Sequence, residues 1–184
     1  MPKIAEIEYT PNPNAVKFVL KEPVATGFPK AFRDRAMAEF DPLAKGLFAV
    51  DHVVSVFMQD KFITVAKDDG IGWTELLPKL APPIRQAPSA TGQAEAAAPH
   101  WDRPEVDESD PILQSVRQVL ATAILPALAA DGGGLEVVGR HEKQIMIRYQ
   151  GSCSSCPSGL TGTLMAIEGI LRKEVDPEIV VITV

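Results

Sequence analysis

The sequence predicts an α+β protein made of two small α/β-sandwich-type domains, ββαββα followed by αββαβ, joined by a flexible Ala/Pro-rich tether. Three observations carry this expectation. A low-complexity tract over residues 81–108 divides the chain. On both sides of it, short β-branched and aromatic runs alternate with apolar residues at helical spacing. The strands of each half come in adjacent pairs separated by turn residues, which favours hairpins over a continuous parallel sheet.

In the first domain, residues 1–80, Ile4, Ile7 and Tyr9 begin a strand. Thr10-Pro11-Asn12-Pro13-Asn14-Ala15 is a turn, because Asn-Pro pairs favour turn starts and proline fixes φ. Val16–Leu20 is the second strand. Asp41-Pro42 reads as an N-cap with proline at the first helical position, and Leu43, Leu47 and Phe48 lie on the buried side. Val53–Met58 and Phe62–Ala66 form a hairpin around Gln59-Asp60, and Trp73, Leu76, Leu77 and Leu80 mark a closing helix. This domain shows no nucleophile constellation, metal cluster or phosphate loop. Lys30, Arg33 and Arg35 read as a solvated face.

The tether, residues 81–108, is mostly Ala, Pro, Gln and other small residues, too poor in apolar surface to offset the entropy of ordering. The chain has a net charge of −6, and most of it falls here: residues 81–110 hold two arginines against six acids. Clustered Lys and Arg are what phosphate backbones need, so nucleic-acid binding is not expected. No apolar stretch approaches the ~20 residues of a membrane span. The opening residues lack a long apolar core and carry acids, which reads as a cytoplasmic protein in a reducing compartment.

The second domain, residues 109–184, opens with Ser109 or Asp110 capping a helix that starts at Pro111. Ile112, Val116, Val119, Leu120, Ile124 and Leu128 recur at helical spacing, and Pro126 should kink or end the regular part. Asp131-Gly132-Gly133-Gly134 turns the chain into a hairpin of Leu135–Val138 and Gln144–Tyr149. Leu160, Leu164, Ile167 and Leu171 mark an amphipathic helix, and Ile179–Ile182 is the last strand.

Between the hairpin and that helix stands Gly151-Ser152-Cys153-Ser154-Ser155-Cys156-Pro157-Ser158-Gly159, which holds the only two cysteines of 184 residues. Chance places two cysteines this close roughly a few per cent of the time. Two thiolates are half a site, since a tetrahedral zinc takes four ligands and an iron–sulfur cluster usually four cysteines. The position before a helix favours thiolate over thiol, and Gly151 and Gly159 let backbone approach a bulky inorganic core.

Four readings follow from the residues. One is a metal or cluster site shared by two chains, with Cys153 and Cys156 from each. The second is a dithiol–disulfide oxidoreductase, although such pairs are expected after the first strand of a βαβ unit and this one follows an antiparallel hairpin. The third is a Cys₂His₂ zinc site, for which His52, His100 and His141 are too scattered. The fourth is two inert buried thiols, which the serines around them disfavour.

Asp131-Gly132-Gly133 before a hairpin, followed by Gly151-Ser152-Cys153-Ser154-Ser155-Cys156-Pro157-Ser158, resembles the C-terminal domain of NifU and the Nfu-type iron–sulfur carriers. Thr10–Ala15, with Leu47-Phe48-Ala49-Val50, Val53, Ser55-Val56 and Phe62–Val65, resembles the Nfu N-terminal domain. The resemblance spans nearly everything outside the tether. It departs from the family pattern at Gly134, where Asp is common, and at Gly159-Leu160, where Ser-Thr is common.

The resemblance implies a non-enzymatic carrier. It implies a [4Fe-4S] cluster shared between two chains, ligated by Cys153 and Cys156 of each in a homodimer. It further implies apo iron–sulfur client proteins as acceptors, cluster assembly machinery as donor, and an N-terminal domain that contacts partners or regulates. The three-cysteine scaffold domain of full-length NifU has no counterpart in these residues, which fits a carrier better than a primary assembly scaffold.

Overall fold

A computed structural model describes residues 2–26, 28–88, 107, 109–155 and 160–184. It divides into two compact units, Met1–His100 and Trp101–Val184. Each half combines helices with one sheet in an α+β fold, the class the sequence predicts.

The first unit is one antiparallel sheet with two helices. Its strands are β1 (Ile4–Tyr9), β2 (Ala15–Leu20), β3 (Lys30–Phe32), β4 (Val53–Gln59) and β5 (Phe62–Lys67), in the order β1-β2-β5-β4-β3. The Thr10–Ala15 segment is a stapled turn. Thr10 Oγ1 donates to Ala15 O at 2.9 Å, Asn14 N donates to Asn12 Oδ1 at 3.0 Å, and Trp73 Nε1 donates to Pro13 O at 2.8 Å. These residues therefore lock the β1–β2 turn to the start of a helix. Helix α1 (Pro42–Phe48) starts as the sequence predicts: Asp41 Oδ1 accepts from Leu43 N and Ala44 N, both at 3.0 Å, and Pro42 takes the first turn.

Two features of this unit differ from expectation. Strand β3 was not anticipated, because three residues are too few to show alternation. It is held by pairing to β4 and by Lys30 Nζ on Asp41 Oδ2 at 3.1 Å. Helix α2 (Trp73–Gln86) runs past Leu80 into the stretch read as tether, through Pro82 and Pro83. Burial overrides the missing N–H groups there: Ile84 is fully buried and Ala87 nearly so in the core with Leu76, Leu80, Phe18 and Ile63. A Cβ added at Gly46 of α1 would meet Pro83 Cβ at 3.1 Å, so the two helices touch at these residues. Residues 89–106 and 108, most of the expected tether, lie outside the described residues.

The second unit is helix α3 (Pro111–Ala123), helix α4 (Leu125–Ala130), strands β6 (Gly133–His141) and β7 (Gln144–Gly151), helix α5 (Leu160–Glu174) and strand β8 (Val180–Thr183). The break between α3 and α4 falls at Ile124, just before Pro126, where the sequence places it. The sheet order is β6-β7-β8, with β6 and β7 antiparallel but β7 and β8 parallel. Leu113, Val116 and Leu120 of α3 pack with Ile145, Ile147 and Tyr149 of β7 and with Ile167 and Leu171 of α5. Val181 N donates to Glu168 Oε2 at 2.9 Å and Arg172 Nε donates to Ile179 O at 2.7 Å, which fastens β8 to α5.

Asp110 does two jobs at the start of α3. Its Oδ1 accepts from Ile112 N at 2.9 Å, and its Oδ2 takes Arg140 Nε at 2.7 Å and Nη2 at 2.6 Å. Desolvation alone would raise this carboxyl. The Arg140 guanidinium and the helix N–H groups outweigh it and hold the carboxyl below its ordinary value of about 3.9. A depressed carboxylate stabilises the fold above the unfolded pKa and loses that contribution as pH falls through the folded one. Melting of the wild type and of Asp110→Asn should therefore differ by a constant amount above about pH 5, and the gap should close below about pH 4. A gap that persists in acid would mean that packing, not charge, is what Asn disturbs.

Candidate metal centre

Strand β7 delivers the cysteine loop. Its last residue, Gly151, pairs across the ladder with Gly133 and has φ 64, a left-handed conformation that turns the chain out of the strand. A short 3-10 turn, Ser152–Ser155, follows. Ser152 rivets this turn to the one before β6: its N donates to Gly132 O at 3.2 Å and its Oγ to Asp131 O at 2.6 Å. Ser154 Oγ closes back on Gly151 O at 2.8 Å. Gly132, with φ 74, gives the α4–β6 turn its shape. The Asp-Gly-Gly and Gly-Ser-Cys segments, twenty residues apart in sequence, are thus two sides of one structure.

Cys153 is half-buried, and its thiol lies over Gly133. A Cβ added at Gly133 would overlap Cys153 Sγ outright and would meet Ser152 Oγ at 3.1 Å and Cys153 Cβ at 3.2 Å. The sulfur therefore stands where a side chain of residue 133 would be, on the face of β6 that also carries buried Leu135 and Val137. Cys153 packs against the core of the unit from this position.

The structure describes one of the two predicted site residues. Cys156, with Pro157, Ser158 and Gly159, lies outside the described residues. His52 sits in the first unit against Asp68, with Nδ1 2.9 Å from Oδ1, and His141 ends β6. Among the described residues no group of three or more His, Cys, Asp and Glu could hold a metal ion. Cys153 is therefore the one described side chain of the second unit that marks the site.

Sequence reasoning missed two contributors. Gly133 was read only as part of a turn, whereas it clears the space for the thiol. Counting back along the hairpin from Glu142-Lys143 sets Gly134 opposite Gly151; a register shift between Val137 and Gly139 brings Gly133 there instead, and no residue of the sequence announces it. Tyr149 was read as an ordinary strand residue. Its side chain is buried, and its hydroxyl has no hydrogen-bond partner among the described residues. Burial, and then the charge of Cys153, push its pKa up to about 12.

The topological argument against a dithiol pair needs correction. Strand β7 is the second strand of an antiparallel hairpin, but it also pairs in parallel with β8 across α5. The cysteine loop thus follows the first strand of a β7–α5–β8 unit, which is the setting expected of a redox pair.

Two family models match the chain, one described as scaffold protein Nfu/NifU N terminal over residues 4–90, the other as NifU-like domain over residues 116–182. Over 165 residues the chain is 30% identical to "NFU1 iron-sulfur cluster scaffold homolog, mitochondrial" of Drosophila persimilis, covering 89% of this chain and 58% of the relative. Over 177 residues it is 32% identical to "NifU-like protein 4, mitochondrial" of Arabidopsis thaliana, covering 92% of this chain and 62% of the relative. The chain thus spans about six tenths of the length of these curated relatives. The solved structure of protein SAV1430 from Staphylococcus aureus aligns at 27% identity with a TM-score of 0.39, covering 45% of this chain and 98% of that one.

These relatives also correct the expected compartment. They are named mitochondrial, not cytoplasmic. Address signals are read from segments separate from the folded domains, and Glu6 and Glu8 lie inside β1, so they carry no information about compartment. With an N-terminal model matched from β1 through α2 and a second matched from α3 through β8, the chain belongs to the Nfu family of NifU-like proteins.

Proposed function

We propose that this protein carries a [4Fe-4S] cluster, held by Cys153 and Cys156 of two copies, and hands it to apo iron–sulfur proteins. The observation that carries this reading is the seat of Cys153: a half-buried thiol placed over a glycine, at the mouth of a glycine-bounded loop. A thiolate held there has one flank packed on the core and stays half-exposed. Two cysteines per chain leave four-thiolate ligation to a second copy. The Drosophila persimilis relative is named an iron–sulfur cluster scaffold homolog, which agrees with such cargo.

Within this reading the C-terminal domain, residues 109–184, is the cluster-binding one. The N-terminal domain is a partner-contact or regulatory module, and the acidic tether gives the two reach. A cluster that straddles two chains is labile by construction, because separation of the copies bares it to the thiols of a client.

The β7–α5–β8 setting favours a second reading, a dithiol–disulfide oxidoreductase. There Cys153 and Cys156 would lose two hydrogens to a client disulfide, which becomes two thiols. Native mass spectrometry of the full chain, reconstituted anaerobically with iron and sulfide, separates the two. A dimer carrying four irons and four sulfides is the expected result. A monomer without metal that loses two hydrogens on oxidation would transfer the assignment to redox chemistry.

A further inference from the structure

Strand β1 leaves a stretch of sheet edge open. It is the outermost strand of the order β1-β2-β5-β4-β3, and Ala5, Glu6, Ile7 and Tyr9 are exposed. Leu20 N donates to Lys61 O, so the even-numbered residues of β2 face β5, and Lys17 and Val19 face β1. Their partners Glu8 and Glu6 use their backbone groups in that ladder. The N–H and C=O groups of Ile7 and Tyr9 therefore point out of the edge. A bulge between Ile4 and Glu6 limits the open stretch to residues 6–9. Unpaired edges invite a further strand, and folds usually close them. Two other edges of this protein are closed. Strand β3 has only three residues, and Val181 N of β8, which points away from β7, is taken by Glu168 Oε2 at 2.9 Å.

We propose that this open stretch of β1 docks an extended segment of a partner protein, one in which basic and apolar residues alternate. Two rows of side chains select it. Ile7 and Tyr9 lie on the row of Phe18 and Val16, the core side of the sheet, yet they are 40% and 73% exposed. They offer apolar surface to every second residue of an added strand. Glu6 and Glu8 lie on the other row. Glu8 holds Lys17 at 2.9 Å, and Glu6 has no ion-pair partner among the described residues. This row calls for Lys or Arg between the apolar residues of the partner. It also rejects a second copy of this chain. Antiparallel β1 strands would set Glu6 opposite Glu8, or one glutamate opposite itself, and like charges opposite one another destabilise a ladder. Backbone hydrogen bonds to Ile7 and Tyr9 give the affinity, and the two rows give the sequence preference. The inference rests on the partner-contact role of the first domain and deepens it; the cluster does not enter.

The probe is the capped peptide Ac-Lys-Val-Lys-Val-Lys-Val-NH₂, added at about millimolar concentration to the full apo chain at low salt. The NMR amide signals of residues 6–9 should shift, and hydrogen exchange at the Ile7 and Tyr9 amides should slow by about tenfold as they gain partners. The acidic peptide Ac-Glu-Val-Glu-Val-Glu-Val-NH₂ should do neither. Tyr9→Pro removes an outward N–H without touching the β1–β2 ladder, and it should weaken the basic peptide by about tenfold. Glu6→Lys should reverse the preference between the two peptides, because Lys17 already answers Glu8. If Tyr9→Pro does not fold, the charge reversal decides alone. An equal response to both peptides, or full binding by Tyr9→Pro, would overturn the proposal. So would slow exchange at Ile7 and Tyr9 that grows with protein concentration in the absence of peptide, which would give the edge to a second copy. Shifts confined to another surface of the first domain would keep its partner-contact role and overturn this edge, and no response anywhere would remove both. Native mass spectrometry still decides the carrier reading in each case.

Discussion

Gly133→Ala is expected to unseat Cys153. The obstacle is steric: the new methyl group would fall on Cys153 Sγ and press on Ser152 Oγ and Cys153 Cβ. Backbone strain is not the cause, since the left-handed glycine of this turn is its neighbour Gly132. Either the thiol swings away from the core or the 152–155 turn moves off β6, which breaks the Ser152 bonds to Gly132 and Asp131. Overpacking of this kind costs about 1–3 kcal/mol, which lowers the melting temperature of a domain this size by about 4–8 °C per kcal/mol. On the carrier reading cluster uptake should fall with it, because Cys153 has left its place.

The matching control is Gly162→Ala on α5. There a Cβ meets nothing within 4 Å. The same one-carbon change should raise stability by up to about 1 kcal/mol through helix propensity and leave cluster uptake unchanged. Melting curves and iron content of both variants check the pair. Wild-type values for Gly133→Ala would mean that the sulfur does not sit over residue 133.

What the sequence shows and what it hides follow from the range of the interactions. Asp41-Pro42 and Asp110-Pro111 are legible because a cap is a local device: the carboxylate reaches N–H groups two and three residues on. The break before Pro126 is legible because proline acts on its own turn. Helix α2 was drawn too short because prolines and alanines speak locally for an end, whereas Ile84 answers to a core built from strands far away in sequence. The β7–β8 pairing was hidden for a related reason. Val180–Thr183 looks the same whether its partner runs parallel or antiparallel, and only the crossover through α5 decides. At the site, the two cysteines are visible as letters, whereas the glycine under one of them comes into place only through the register shift between Val137 and Gly139.

Cys153→Ser and Cys156→Ser should each abolish stable cluster binding, and the reason lies in the count of ligands. If each copy supplies two thiolates, one substitution per chain removes two of the four ligands from the shared site. A serine hydroxyl does not replace them, because it stays protonated at neutral pH and is a hard oxygen donor where soft sulfur is preferred. The fold should survive: Cys153 loses one half-buried sulfur beside hydroxyl-bearing Ser152, a change of about 1 kcal/mol or less. Iron content and melting temperature should therefore separate cleanly, the first lost and the second nearly kept. A mixture of wild type and variant gives a sharper test. Mixed dimers would hold three thiolates, so cluster content should decline with variant fraction faster than a one-chain site allows, where it would fall in strict proportion. The dithiol reading predicts something else: a single-cysteine variant would accumulate a mixed disulfide with its client, since the resolving thiol is gone. Full iron content in either single variant would remove Cys153 and Cys156 from the site altogether.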